Sequence, residues 1–204
     1  VWGNIDVGVS GGTSHNHSTA TLQGHIDQWV TAGANGIFCD NFGYDRGVTR
    51  ARQNTITNYV HTKDIGAMLY STAIADALSP AVVATYNASG VATAADSRDA
   101  FMSVWAFNSD AVLAPYFNSF AAMKARGDDM RTYRTSTGVR MYAINVQPFT
   151  GTGLTELDDY RGIAESLAHI FRLDGSGVAL TLFSASGTDQ NKMLAYAPKV
   201  GLMP

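Results

Sequence analysis

Apolar and polar positions alternate along this chain with two periods, and the two periods take turns. Short runs such as "WGNIDVGVS" (2–10), "GIFCD" (36–40), "AMLYS" (67–71), "AVLAPYF" (111–117), "VRMYAINV" (139–146) and "GVALTLFS" (177–184) are too brief for helices and rich in strand formers. Between them apolar residues recur at helical spacing. Leu22, Ile26, Trp29 and Val30 share one face over 21–30, and Val48, Ile56, Tyr59 and Val60 do so over 48–63. Residues 119–134 read as a third helix. The clearest helix is 154–172, where Leu157, Tyr160, Ala164, Leu167 and Phe171 repeat and Thr155 with Asp158 resembles a capping box. The span 80–108 is Ala/Thr/Ser/Gly-rich at its centre and reads as a long loop.

Six strands with helical connections predict an α/β fold built on a mostly parallel sheet. The expected architecture is a (β/α)8 TIM-barrel-like domain spanning 1–204. It is read as incomplete, because a full barrel takes about 250 residues. A flavodoxin-like doubly wound sheet is the alternative. The chain begins with Val1, already in a strand-like run, so the expectation is either a processed end or a fragment cut from a longer chain.

Composition narrows the function classes. Charged residues are only 15 % against 46 % apolar, and net charge is −3 with Lys and Arg scattered. That pattern gives no nucleic-acid footprint and no polybasic membrane patch. No apolar run approaches the ~18 residues of a spanning helix, and no signal peptide is visible. Cys39 is the single cysteine and reads as a buried thiol. The chain lacks G-x-G-x-x-G, G-x-x-x-x-G-K-[ST] and G-x-S-x-G, so nucleotide and serine-hydrolase chemistries lose their usual signatures.

In parallel α/β folds the site forms at the C-terminal ends of the strands. There the sequence places Asp6, then Asp40, Asn41 and Tyr44, then Tyr70, Tyr116, and finally Asn145 and Gln147. Acids, amides and aromatic faces in one mouth suit a sugar. Glycoside hydrolysis needs two carboxyls, ~5–5.5 Å apart for retention and ~6.5–9.5 Å for inversion. Asp40 is the first candidate, with Asp6 or Asp45 as partner. Asp45 competes with a second role, capping the helix that starts near Val48. Asp110 precedes the 111–117 strand and so stands at the wrong end. His15 and His17 form an H-x-H pair in a Gly/Ser-rich loop, but no third ligand is evident, so a solvated loop is expected and no metal or cofactor is assigned.

The stretch "GANGIFCDNFGYDRGVTRARQNTITNYVHTK" resembles glycoside-hydrolase-like TIM barrels related to the endo-α-1,4-polygalactosaminidase superfamily, most strongly over 29–71. The resemblance implies a barrel in which Asp40 is a catalytic carboxylate. The family's next acid is Asn41 here, and its second catalytic acid falls near Pro115, where no acid stands. Members occur among bacterial extracellular proteins and phage tail-associated proteins. The resemblance therefore implies an extracellular or virion-associated location and a polysaccharide or surface glycan as partner, with a homo-oligomer or virion partners also open. Two readings follow: a carbohydrate-active enzyme, or a non-enzymatic structural or receptor-binding module.

Overall fold

The computed structural model describes residues 1–11, 14–104, 106–107, 118–147 and 154–180. Its elements run β1 (Trp2–Asp6), α1 (Thr19–Thr31), β2 (Gly36–Asp40), a 3-10 turn (Tyr44–Arg46), α2 (Arg50–His61), β3 (Gly66–Tyr70), α3 (Ile74–Leu78), β4 (Ala100–Val104), α4 (Phe120–Thr137), β5 (Arg140–Gln147), α5 (Leu154–Ile170) and β6 (Gly175–Leu180). The strands form one parallel sheet in the order β1-β2-β3-β4-β5-β6, each beside its predecessor. An α/β fold with a parallel sheet flanked by helices is thus what the sequence period predicts.

Helix starts follow local chemistry. The Ser18 hydroxyl accepts from Thr21 N ahead of α1, Thr49 accepts from Arg52 N ahead of α2, and Ser119 accepts from Ala122 N ahead of α4. Thr49 therefore caps α2 in place of Asp45, which lies in the 3-10 turn instead. Helix α5 begins at Leu154, which puts Thr155 inside the helix rather than before it.

The parallel register divides the sheet into two faces. One carries Ile5, Ile37, Cys39, Ala67, Leu69, Phe101, Met141 and Ala143, all buried in a core with Leu22, Ile26, Ile56, Val60, Met130 and Leu167 from the helices and Phe171 directly after α5. Each such side chain removed from water contributes about 1.5–3 kcal/mol, and this face holds the helices to the sheet. The other face is mixed. At one level it aligns Asp6, Asp40, Tyr70, Met102, Tyr142 and Gly175 across all six strands.

The fourth strand differs from expectation. Strand β4 lies within the span that reads as loop, and the strand expected over 111–117 falls outside the described residues. Five residues without polar alternation, preceded by a Ser/Asp-rich stretch, give no strand period. What fixes β4 is tertiary. Asp99, fully buried just before it, accepts from Ala67 N of β3, Asp96 N and His61 Nε2. Asp110 lies outside the described residues together with the strand expected after it.

The glycines give a direct check on packing. A Cβ on Gly24 would meet nothing within 4 Å, whereas one on Gly127 would sit 2.3–2.4 Å from the Phe171 ring. Both lie inside helices, where alanine is favoured by about 1 kcal/mol. Gly24→Ala should therefore raise stability by about 0.5–1 kcal/mol, and Gly127→Ala should lower it by about 1–3 kcal/mol through overpacking. Urea denaturation of both variants measures the difference in sign.

Candidate functional site

Strands β1 and β2 each end on an aspartate, and the two are direct register partners. Asp6 and Asp40 therefore project from the same face of neighbouring strands, whose spacing is ~4.8 Å. Their surroundings differ. The Asp6 Oδ1 accepts from Gly8 N (3.0 Å) and Asn41 Nδ2 (2.9 Å), and its Oδ2 accepts from His15 N (2.7 Å) and His15 Nδ1 (2.8 Å). Among the described residues Asp40 accepts one bond, from Asn41 N to Oδ1 at 2.8 Å.

The two carboxyls are consequently driven apart. Burial works against ionisation of Asp6, but bonds from the Asn41 and His15 side chains and from the His15 and Gly8 amides outweigh it and lower its pKa. For Asp40 burial dominates and raises the pKa. The Asn41 amide bond opposes that, the Asp6 charge adds to it, and the Arg46 charge offsets part of it. The result is one firmly ionised acid beside one that holds its proton more readily, the condition under which a carboxyl pair divides into two roles.

Asn41 makes the arrangement. Its φ is +53°, in the left-handed region that asparagine tolerates better than most residues. From there its side-chain amide reaches Asp6 and its backbone amide reaches Asp40. An aspartate at 41 would have no proton to donate to Asp6 and would add a third negative charge. The amide at this position therefore sets the electrostatics of the pair.

Tyr70 closes β3 beside Asp40, and its ring stacks on Phe38 at 6.3 Å. Burial first, then the Asp40 charge, raises its pKa. Asp45 is near but engaged: it pairs with Arg46 Nε at 3.3 Å and accepts from Thr72 Oγ1 at 3.0 Å. Arg50 and Gln53 fix the floor of this turn. The Arg50 guanidinium, 1 % exposed, donates to Ala77 O, to Asp76 O (3.1 Å) and to Ser79 O (2.9 Å), while Gln53 Nε2 donates to Phe42 O (2.6 Å) and Asp76 O (3.1 Å).

The remaining expected site residues lie elsewhere. Tyr44 is buried, stacks on Tyr86 at 5.0 Å and accepts from Arg50 Nη2 at 3.3 Å, so it supports the turn rather than facing the acids. Asn145 is fully buried on the helix-covered face, where its Oδ1 accepts from Phe107 N at 2.9 Å. Gln147 closes β5, and nothing beyond its strand position bears on the site. Tyr116 and Pro115 fall outside the described residues.

Sequence reading places His15 in a solvated loop and misses its contact with Asp6, and it misses Met102 and Tyr142, which share the level of the acids. The signal for the last two is strand parity, legible only once the register is known. Comparison of the chain with protein-family models, with curated proteins and with solved structures finds no match.

The opposed shifts make a stability prediction with a definite sign. Asp6 is lowered, so its contribution is present above the ordinary carboxylate pKa and lost as pH falls through the folded value. Asp40 is raised, so its contribution is present at low pH and lost as pH rises through the folded value. Asp40→Asn should therefore raise Tm at pH 7 by about 2–4 °C, with the gain shrinking toward pH 4. Asp6→Asn should lower Tm at pH 7, and that loss should shrink at low pH. Thermal melts from pH 3 to 8 read both.

Proposed function

We propose that this chain is a glycan-directed domain of the glycoside-hydrolase barrel kind, acting at the Asp6–Asp40 pair on an amino-sugar or cell-envelope polysaccharide outside the cell or on a virion. The observation that carries the reading is the pair itself: two carboxyls on adjacent strand ends with pKa values pushed in opposite directions. The sequential strand order supports the barrel. With right-handed crossovers it sends every connecting helix to one side and leaves the mixed face to curve inward.

Asp40, the more readily protonated acid, is the proton donor to the glycosidic oxygen. Asp6, held ionised, is the anion that stabilises positive charge growing at the anomeric carbon. Adjacent-strand spacing of ~4.8 Å favours the ~5–5.5 Å separation of a retaining enzyme over the wider inverting gap. For Asp6 to attack carbon, one of its four hydrogen bonds must yield. The exposed His15 side chain is the one free to move aside. Tyr70 and Phe38 supply the aromatic surface against which a sugar ring packs.

A second reading, a glycan-binding or structural module without turnover, draws on one observation. Asp6 already uses both oxygens twice, which is how a carboxylate serves as a loop anchor. Reducing-end assays on galactosamine- and glucosamine-containing polymers separate the two. The enzyme reading expects turnover by the native chain and a loss of about 10²–10⁴-fold in Asp40→Asn. Turnover equal in Asp40→Asn and the native chain would remove Asp40 from the mechanism. Retained binding to a glycan with no turnover would establish the second reading.

A further inference from the structure

The fold supplies the H-x-H pair with the third imidazole that its sequence neighbourhood lacks. His15 and His17 stack at 5.5 Å between ring centres, and His25, from the second turn of α1, meets the His17 ring edge-on at 5.3 Å. We infer that His15, His17 and His25 form a transition-metal site of the zinc class at the rim of the carboxylate pair. This inference does not depend on the glycan reading.

Three features support it. First, Asp6 orients His15 as a metal ligand is normally oriented. An ionised carboxylate can only accept, so the His15 Nδ1 bonded to Asp6 Oδ2 carries the proton, and Nε2 keeps its lone pair facing outward. A carboxylate behind a ligating imidazole is the commonest outer partner of such metals. Second, the three rings are neighbours: His15 and His17 lie near-parallel (8°) and His25 meets His17 edge-on (84°). Their centre separations are close to the roughly 5 Å of two imidazoles on one tetrahedral ion, so that torsional rotation rather than backbone movement is what separates them from a shared ion. Third, the loop is held. Arg52 donates from Nη2 to His17 O (2.6 Å) and from Nε to Val7 O (2.9 Å), His15 N donates to Asp6, and Ser18 caps α1 directly after His17.

The ring nitrogens do not yet converge, since the described group whose ligand atoms already lie within 4.8 Å of one another is a different one. Binding therefore requires rotation about the side-chain torsions of His17 and His25, both half-buried, while His15 keeps its Asp6 bond. The Arg52 guanidinium opposes a cation here, and the Asp6 carboxylate, whose charge acts on it, offsets that. Three imidazoles leave the fourth tetrahedral position for water or a ligand, which is the composition of an open rather than a closed zinc site.

A second group, His61, Asp96 and Asp99, already has its ligand atoms within 4.8 Å of one another. Its donors are committed, however. Asp99 accepts from Ala67 N, Asp96 N and His61 Nε2, while Arg98 reaches both Asp96 oxygens and His61 Nδ1. The Arg98 guanidinium stands where an ion would bind.

Calorimetric titration of ZnCl2 into the full chain, free of any histidine tag, tests the inference at pH 7.5. The expected result is one ion per chain, with affinity falling as the buffer is made more acid because protons compete for ligand nitrogens. His17→Ala and His25→Ala should each weaken binding by at least about 10-fold, and Asp6→Asn by about 10–100-fold, with circular dichroism confirming the fold. A Co2+ adduct should show the visible absorption of a tetrahedral nitrogen-ligated ion. No binding, unchanged affinity in both histidine variants, or binding abolished by Asp96→Asn instead would overturn the assignment.

Discussion

The β1–β2 register sets two aspartates side by side at the ends of their strands, and the Asn41 amides hold them there. Two like charges at adjacent-strand spacing repel, and partial burial makes the repulsion worse. Asn41 resolves it unequally. It gives its side-chain amide to Asp6 and its backbone amide to Asp40, in a left-handed conformation that few side chains accept. The proposed glycan chemistry rests on that inequality, because two identical carboxylates could not divide into a proton donor and an anion.

The conformation at Asn41 is sustained from below. Immediately after it the chain must turn to reach α2, and the turn has no strand ladder of its own. Arg50 and Gln53 provide the substitute, occupying the carbonyls of Phe42, Asp76, Ala77 and Ser79 with side-chain donors from α2. A guanidinium this deeply buried carries a large desolvation penalty, which the three carbonyls and the Tyr44 ring beneath it offset. The buried polar work of α2 thus serves the geometry of the strand ends. The apolar work of the same helix, through Ile56 and Val60, serves the sheet.

The legible part of this chain was its periodicity. Strands of four or five apolar residues and helices with a repeating stripe announce themselves, and β2, β3, α2 and α5 stand close to where the pattern puts them. Asp6 and Asp40 were legible because they terminate such strands. Strand β4 was not, since it has no alternation and is fixed by the buried Asp99 reaching back to β3. Asn145 ends on the helix-covered face because side chains alternate, and its parity relative to Asp40 depends on a register no single strand encodes. The Asp6–His15 and His17–His25 contacts were equally hidden: they join residues across a loop whose path the sequence does not specify.

Asn41 shows how residue identity and residue role separate. In the sequence it is an amide following an acid at a strand end, and in the fold it is the donor that makes the carboxyl pair asymmetric. The direct test is a carbon-13 NMR titration of the Asp6 and Asp40 carboxyl carbons in the native chain and in Asn41→Asp. The account predicts that in the native chain Asp6 titrates below the ordinary aspartate range and Asp40 above it, and that Asn41→Asp raises Asp6 and narrows the gap. Two native midpoints that coincide, or a gap unchanged in Asn41→Asp, would contradict it.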